Sequence, residues 1–168
     1  ALADLAAHRE VTVVTQNVDD LHERAGSDVA AHLHGLLTEL RCADCHEPYA
    51  EAPVLPPAPV ERLDPETCAA CGGDVRPGVV WFGEVLPEEA VLATEGAIEA
   101  LRPGDVCLVV GTSGIVYPAA GYPAMALAQG ATVIEVNPVD TDISDMCHHT
   151  VRGTAAEVLP ALLAAVTD

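Results

Sequence analysis

Lysine is absent from this chain of 168 residues, so all seven of its basic side chains are arginine. Against 26 acidic residues they leave a formal net charge of −19. A negative charge of this size argues against binding to nucleic acid or to an anionic membrane. It favours solubility, or adaptation to salt or to a GC-rich genome, and it leaves open a second role, the attraction of basic polypeptides.

Long apolar runs are missing as well. No segment approaches the roughly 18 apolar residues of a membrane-spanning helix. The first ten residues, ALADLAAHRE, also lack the basic start of a signal peptide. These absences predict a soluble, cytoplasmic protein.

Strands and helices are predicted to alternate at both ends of the chain. Apolar, largely β-branched runs predict strands over residues 11–15, 105–110 and 132–136, with short strands at 79–82 and 149–151. Helices are predicted over residues 1–8, 18–24, 87–101, 118–129 and 154–166. Strands that each lead into a polar loop predict an α/β fold with a Rossmann-like, doubly wound parallel sheet.

The middle of the chain has a different composition. Residues 41–76 are rich in proline, cysteine, glycine and charge, and prolines such as Pro53 exclude long regular elements there. We therefore expect residues 1–35 and 79–168 to form the Rossmann-like domain. Residues 36–78 would form a small inserted domain.

Two CxxC pairs bracket this insert and predict a metal site. The pairs are separated by 22 residues, close to the spacing of a zinc ribbon, and their members are Cys42, Cys45, Cys68 and Cys71. Four thiolates close the coordination shell, so the zinc would be structural and would not activate water. Four unrelated thiols or two disulfides are the alternative interpretation, and Cys107 and Cys147 are expected to be packing residues.

Polar side chains follow each main predicted strand, at the edge where parallel sheets bind their ligands. Gln16, Asn17, Asp19 and Asp20 follow the first strand, residues 111–114 (GTSG) the next, and Asn137 the third. A glycine-bearing loop can cradle phosphate or ribose, but it can equally be a tight turn, and Asn137 can simply end its strand.

Two histidines near this edge are candidates for catalysis. His32 and His34 lie on a strand-like segment, and their rings are predicted to face opposite ways. Either could be catalytic, and either could instead be a satisfied structural histidine.

Taken together, the motifs resemble those of the sirtuins, the NAD-dependent protein-lysine deacylases. TQNVDDLHERAG, HLHG, the paired CxxC motifs, RPGVVWFGEVLP, VGTSGIVYPAAG and VIEVNP occur in the family's order and spacing, over nearly the whole chain. The segments VVWFGE and GTSGxVYPAAG look most like the class III branch of bacteria and mitochondria. Members of that branch often accept succinyl or other acidic acyl groups as well as acetyl.

The resemblance assigns roles to individual residues. It implies that His34 is the catalytic base and that NAD is bound by Gln16, Asn17, Asp19, Gly111, Thr112, Ser113, Asn137 and Ala155. It further implies that a strand segment pairs with the substrate peptide through Val80, Trp81, Phe82, Gly83 and Glu84. The cysteines would hold zinc, and the partners would be acylated lysine side chains of other proteins, because this lysine-free segment cannot be its own substrate.

The implied reaction transfers the acyl group from lysine to ADP-ribose. His34 would take a proton from a ribose hydroxyl, and the products would be free lysine, nicotinamide and O-acyl-ADP-ribose. Mono-ADP-ribosyl transfer, a catalytically weak fragment that binds NAD and zinc, and a zinc-ribbon nucleic-acid module are the alternatives. The charge and the α/β pattern speak against the last of these.

The chain departs from the family pattern at its start. Sirtuins begin with a strand, a GAGxS loop and a cofactor loop carrying an arginine, and none of these precedes Ala1. The resemblance therefore predicts a fragment of a longer protein, with the pyrophosphate cradle and the Tyr and Arg that read acidic acyl groups outside it. A shortened form with impaired NAD binding is the alternative.

Overall fold

The computed structural model describes residues 1–51 and 56–167. Pro53, which the sequence placed among the prolines of the insert, lies outside the described residues. The strands are β1 (Val13–Thr15), β2 (Val29–His32), β3 (Gly35–Cys42), β4 (Pro48–Tyr49), β5 (Val75–Val79), β6 (Val106–Val110), β7 (Thr132–Val136) and β8 (His149–Val151). The helices are α1 (Leu2–Leu5), α2 (Leu21–Arg24), α3 (Glu88–Glu99), α4 (Tyr122–Ala128) and α5 (Ala155–Thr167).

Five of these strands are parallel and confirm the predicted α/β class. β6, β7 and β8 form one parallel sheet with β7 in its centre, and β1 pairs with β2 in parallel. One continuous parallel sheet was expected. The parallel strands lie in two sheets instead, because no backbone ladder joins β1 to β6 in the part of the chain that is described. Apolar side chains fill the space between strands and helices, including Leu33, Ile98, Val109, Ala126 and Val133.

The middle segment folds as a separate antiparallel sheet. Its strand order is β4-β3-β5, with a small core of its own around Cys42, Cys68 and Val75. Gly35 pairs with Val79 in the register of β3 and β5, so the segment enters and leaves side by side. This arrangement agrees with an insert over residues 36–78, although the division into two domains stays a prediction.

The short strand predicted at residues 79–82 is wrong in its position. β5 ends at Val79, and the chain then turns, with Gly83 at φ +90° and the Glu84 N–H donating to the Trp81 carbonyl at 3.0 Å. Phe82 is fully exposed at the tip. Gly83 bends the chain away from the sheet in a left-handed conformation that is unfavourable for residues with a side chain.

A buried carboxylate fixes the loop that follows β7. Glu135 is 1% exposed, and it accepts hydrogen bonds from Ser144 at 2.6 Å, from Arg152 at 2.8 Å and from Thr141. Burial alone would raise the pKa of Glu135, but these three donors outweigh it and hold the pKa below its ordinary value. The loop that begins at Asn137 is therefore tied back to the sheet.

Within the described residues, no helix is both long enough and apolar enough to cross a bilayer.

Candidate functional site

The polar loops after β1, β6 and β7 meet through hydrogen bonds at one edge of the parallel strands. Gln16 Nε2 donates to Thr112 Oγ1 at 3.3 Å, which joins the loop after β1 to the loop after β6. Asn137 Nδ2 donates to the Thr112 carbonyl at 2.8 Å, which adds the loop after β7. The side chains predicted to hold a ligand from three strand ends are thus linked to one another.

His34 lies beside this group, in the turn between β2 and β3. Its Nδ1 lies 3.0 Å from the Gln16 carbonyl oxygen, and its ring is half-buried. A carbonyl oxygen can only accept, so Nδ1 carries the proton and, in the neutral ring, Nε2 holds the free lone pair. Nε2 has no hydrogen-bond partner among the described residues, and a ring held in this way can act as a base through that nitrogen.

His32 is engaged at both ring nitrogens. Nδ1 lies 3.2 Å from the Asn17 carbonyl oxygen, and Nε2 lies 2.6 Å from Glu23 Oε1. The hydrogen bond with His32 lowers the pKa of Glu23, and both partners of the ring are acceptors. His32 therefore offers no free nitrogen to a substrate.

The prediction that the two rings face opposite ways is wrong. β2 ends at His32, and the turn that follows brings both rings to consecutive carbonyl groups of one loop. Residues two positions apart on a strand share one face, so a regular strand would also place both rings on the same side.

The remaining predicted cofactor residues occupy the rim of this edge. Asp19 Oδ1 accepts from the Leu21 N–H at 3.1 Å, at the start of α2. Gly111 has φ +64° with open space where a Cβ would be, and Ser113 beside it is exposed. Ala155 is the exposed first residue of α5. In the described part of the chain, no hydrogen bond joins Asp19, Ser113 or Ala155 to the group around Thr112.

The predicted substrate segment, Val80 to Glu84, begins directly beside His34. The Val80 N–H donates to the His34 carbonyl at 2.8 Å. Trp81 and Phe82 are exposed apolar side chains on this segment, and Val85 is exposed directly after it. Both carboxylate oxygens of Glu84 contact other residues of the chain.

Three arginines that the sequence did not single out form ion pairs near these loops. Arg41 and Arg76 pair with Glu84, and Arg152 pairs with Glu135. The composition of the chain could have indicated these ion pairs. With seven arginines and 26 acidic residues, each arginine has many possible acidic partners.

The four cysteines of the CxxC pairs form a compact cluster. Their sulfur atoms all lie within 4.8 Å of one another, with 3.4 Å between Cys42 and Cys71 and 3.7 Å between Cys45 and Cys68. A tetrahedral zinc ion with bonds of about 2.3 Å places its sulfur ligands roughly 3.8 Å apart. The donor set and its spacing therefore fit zinc.

The electrostatics of the cluster also favour a cation. The backbone N–H groups of Cys45 and Asp44 lower the pKa of Cys42 to about 7. The N–H of Glu47 favours the Cys45 thiolate, but the sulfurs of Cys71 and Cys42 outweigh it and raise the pKa of Cys45 to about 12. Adjacent thiolates repel one another, so a divalent ion is needed to keep all four ionised.

Comparison with known proteins identifies the family. The Sir2 family model matches residues 1–118. An NAD-dependent protein deacylase of Mycobacterium tuberculosis strain H37Rv is 53% identical over 163 residues, covering 97% of this chain and 67% of that protein. A crystal structure of a Sir2 homologue in complex with NAD is 40% identical with a TM-score of 0.83, covering 98% of this chain and 62% of that one. A structure of Sir2 with a p53 peptide and NAD⁺ is 28% identical with a TM-score of 0.78, covering 99% of this chain and 68% of that one.

The chain thus spans about two thirds of the length of these relatives. The match reaches from the loops around Gln16 and Thr112 to the cysteine cluster, and the family expected from the sequence motifs is confirmed. The chain belongs to the Sir2 family, the sirtuins.

Proposed function

We propose that the protein to which this chain belongs removes acyl groups from protein lysines in an NAD-dependent reaction. Acetyl is the expected acyl group, with succinyl and malonyl as alternatives, and the products are free lysine, nicotinamide and O-acyl-ADP-ribose. NAD would supply the electrophilic ribose carbon and the nicotinamide leaving group. We further propose that the protein works in the cytoplasm, where a reducing environment keeps cysteine thiolates available to zinc.

One observation carries the proposal, the chain of hydrogen bonds that connects His34 to Gln16, Gln16 to Thr112 and Thr112 to Asn137. It gathers a histidine with a free Nε2 and polar groups from three strand ends into one site. In the proposed roles, Gln16, Asn17 and Asp19 bind the nicotinamide half of NAD. Gly111, Thr112, Ser113, Asn137 and Ala155 bind its ribose, phosphate and adenine parts.

His34 is the proposed base. Its Nδ1–H is held by the Gln16 carbonyl, so Nε2 points its lone pair away from that contact and can take a proton from a hydroxyl group. The hydrogen bond fixes the tautomer and orients the ring, which reduces the ordering that the reaction must impose.

The substrate peptide is proposed to bind along residues 80–84, next to His34. The Val80–His34 backbone contact fixes the distance between this segment and the base. The cysteine cluster is proposed to hold a structural zinc ion. It lies at the end of β3 that is far from His34, since β3 begins at Gly35 and ends at Cys42.

The test replaces the base in the full-length, zinc-loaded protein. We expect His34→Ala to lower kcat/KM for an acetylated or succinylated peptide by about 10²- to 10⁴-fold, the usual contribution of a general base. His149→Ala is the matched control, because His149 is an exposed histidine on edge strand β8. Nicotinamide release and O-acyl-ADP-ribose formation are followed by mass spectrometry, with zinc content measured for every variant.

Two outcomes would contradict the proposal. Full activity of His34→Ala would remove His34 from the mechanism. Label from NAD that appears on protein, and not on a small ester, would point to mono-ADP-ribosyl transfer.

A further inference from the structure

Residues 81–84 form a turn that is closed by one side chain, and we call it the 81–84 turn. Glu84 Oε2 accepts from the Trp81 N–H at 2.9 Å, and the Glu84 N–H donates to the Trp81 carbonyl at 3.0 Å. Glu84 therefore contacts the start of the turn with both its backbone and its carboxylate.

The same carboxylate lies between two arginines of the neighbouring sheet. Arg41 of β3 and Arg76 of β5 are directly opposite each other in the strand register. Glu84 Oε1 accepts from Arg76, and Arg41 Nη2 lies 3.3 Å from Glu84 Oε2. The Arg76 guanidinium holds the pKa of Glu84 below its ordinary value.

Without Glu84 this pair of arginines would be unfavourable. Like charges that are directly opposite on a sheet destabilise it. The Arg76 side chain is 8% exposed, and an uncompensated buried cation costs more than an exposed one. One carboxylate therefore lies between two cations of the sheet, reduces their mutual repulsion, and closes the 81–84 turn.

Arg76 holds the turn at two further points. Its Nη1 donates to the Val79 carbonyl at 2.7 Å, where β5 ends. Its guanidinium carbon lies 4.0 Å from the centre of the Trp81 ring, a favourable cation–π distance. Arg76 thus holds the end of β5 at Val79 and the ring of Trp81, the first residue of the turn.

We propose that Glu84 is a positioning residue, which works through Arg76 and Arg41 to hold the 81–84 turn in the conformation that binds the acyl-lysine peptide. This inference rests on the proposed function. It assigns no direct substrate contact to the Glu84 side chain, because both carboxylate oxygens already accept from groups of the chain itself. Peptide binding would then depend on the Glu84 carboxylate without any contact between that carboxylate and the peptide.

The kinetic test uses the intact, zinc-loaded protein with Glu84→Gln. We expect KM for the acyl-lysine peptide to rise by at least about tenfold, because a small displacement of a binding segment is costly, while KM for NAD stays within about twofold. Glu89→Gln, an exposed glutamate on α3, is the matched control and should change neither value. Arg41→Lys keeps a charge at the half-buried position and is the milder second variant in case Glu84→Gln loses zinc.

A spectroscopic test separates positioning from direct contact and needs no activity. Trp81 is the single tryptophan of the chain, so 5-fluorotryptophan reports on the 81–84 turn, with the signal assigned from Trp81→Phe. We expect Glu84→Gln and Arg76→Lys each to shift or broaden the Trp81 ¹⁹F signal in the absence of peptide. Glu89→Gln should leave that signal unchanged.

Two results would overturn the inference. An unchanged Trp81 signal in Glu84→Gln would reject positioning, and an effect on KM confined to peptides with basic residues beside the acyl-lysine would assign Glu84 to direct contact. If the wild-type protein turns over no acyl-lysine peptide, the proposed function fails, while the ¹⁹F comparison still decides whether Glu84 holds the turn.

Discussion

Gly35 follows the proposed base directly and occupies a position that only glycine fits. Its φ is +75°, and a Cβ at this position would lie 2.0 Å from the Gly78 carbonyl oxygen. The left-handed backbone is itself unfavourable for a residue with a side chain. The close approach of Gly35 to β5 is what lets the insert enter and leave beside His34.

We predict that Gly35→Ala destabilises the protein by more than about 2 kcal/mol, because backbone strain and a backbone clash act at the same residue. Urea unfolding of the zinc-loaded protein, followed by circular dichroism, measures the change. Gly96→Ala is the matched control, since Gly96 lies inside α3 and a Cβ there would meet nothing within 4 Å. Alanine at that position should stabilise the protein by about 0.5–1 kcal/mol. Equal effects of the two substitutions would show that glycine-to-alanine chemistry, and not the site, sets the result.

The two histidines show what a sequence can and cannot predict at this scale. Their position after the first strand identified both as candidates, and only the family resemblance selected His34. The physical distinction is in their partners. Among the described residues, His34 has a hydrogen-bond partner at Nδ1 and none at Nε2, whereas His32 has one at each ring nitrogen. A partner such as Glu23, nine residues away, cannot be read from composition or spacing.

At the scale of elements, the antiparallel β3–β5 sheet is the part that we expect to depend on the metal. Among the described residues, its core consists of Cys42, Cys68 and Val75, with Leu40 and Tyr49 against them. So small an apolar core cannot offset the entropy of ordering the segment. Zinc binding would supply the missing stability.

We predict that removing zinc unfolds this sheet and leaves the β6–β7–β8 sheet folded. A mercurial thiol reagent should release one zinc per chain, and hydrogen exchange should then accelerate at the amides of residues 35–49 and 66–79. Cys68→Ser should purify without zinc, whereas Cys107→Ser, a thiol on β6 outside the cluster, should retain it. Persistent protection of β3 and β5 after complete zinc release would contradict the prediction.

Elements with an internal pattern were predictable from the sequence, and elements set by distant partners were not. β7 and β8 have the bounds expected from their sequences, since a β-branched run between turn residues predicts a strand unaided. The strand expected at residues 79–82 is a turn instead. Its apolar residues favour a strand, but Gly83 and the Glu84 carboxylate bend the chain there.

At the scale of the whole molecule, seven arginines face 26 acidic residues, and a net charge of −19 remains. In the described part of the chain, five of the seven form ion pairs with acidic side chains, namely Arg24, Arg41, Arg62, Arg76 and Arg152. Arg9 and Arg102 donate to backbone carbonyls. The 26 acids therefore dominate the field that an approaching peptide meets.

We predict that this field favours basic peptide substrates at low ionic strength. Two peptides with the same acyl-lysine, one flanked by arginines and one by glutamates, isolate the effect, because the reacting group is identical. For the arginine peptide, kcat/KM should fall several-fold as NaCl rises from about 20 to about 300 mM, over which the screening length shortens to less than about 10 Å. For the glutamate peptide it should rise or stay constant. If both peptides show the same salt dependence, the net charge of −19 acts on solubility and not on substrate encounter.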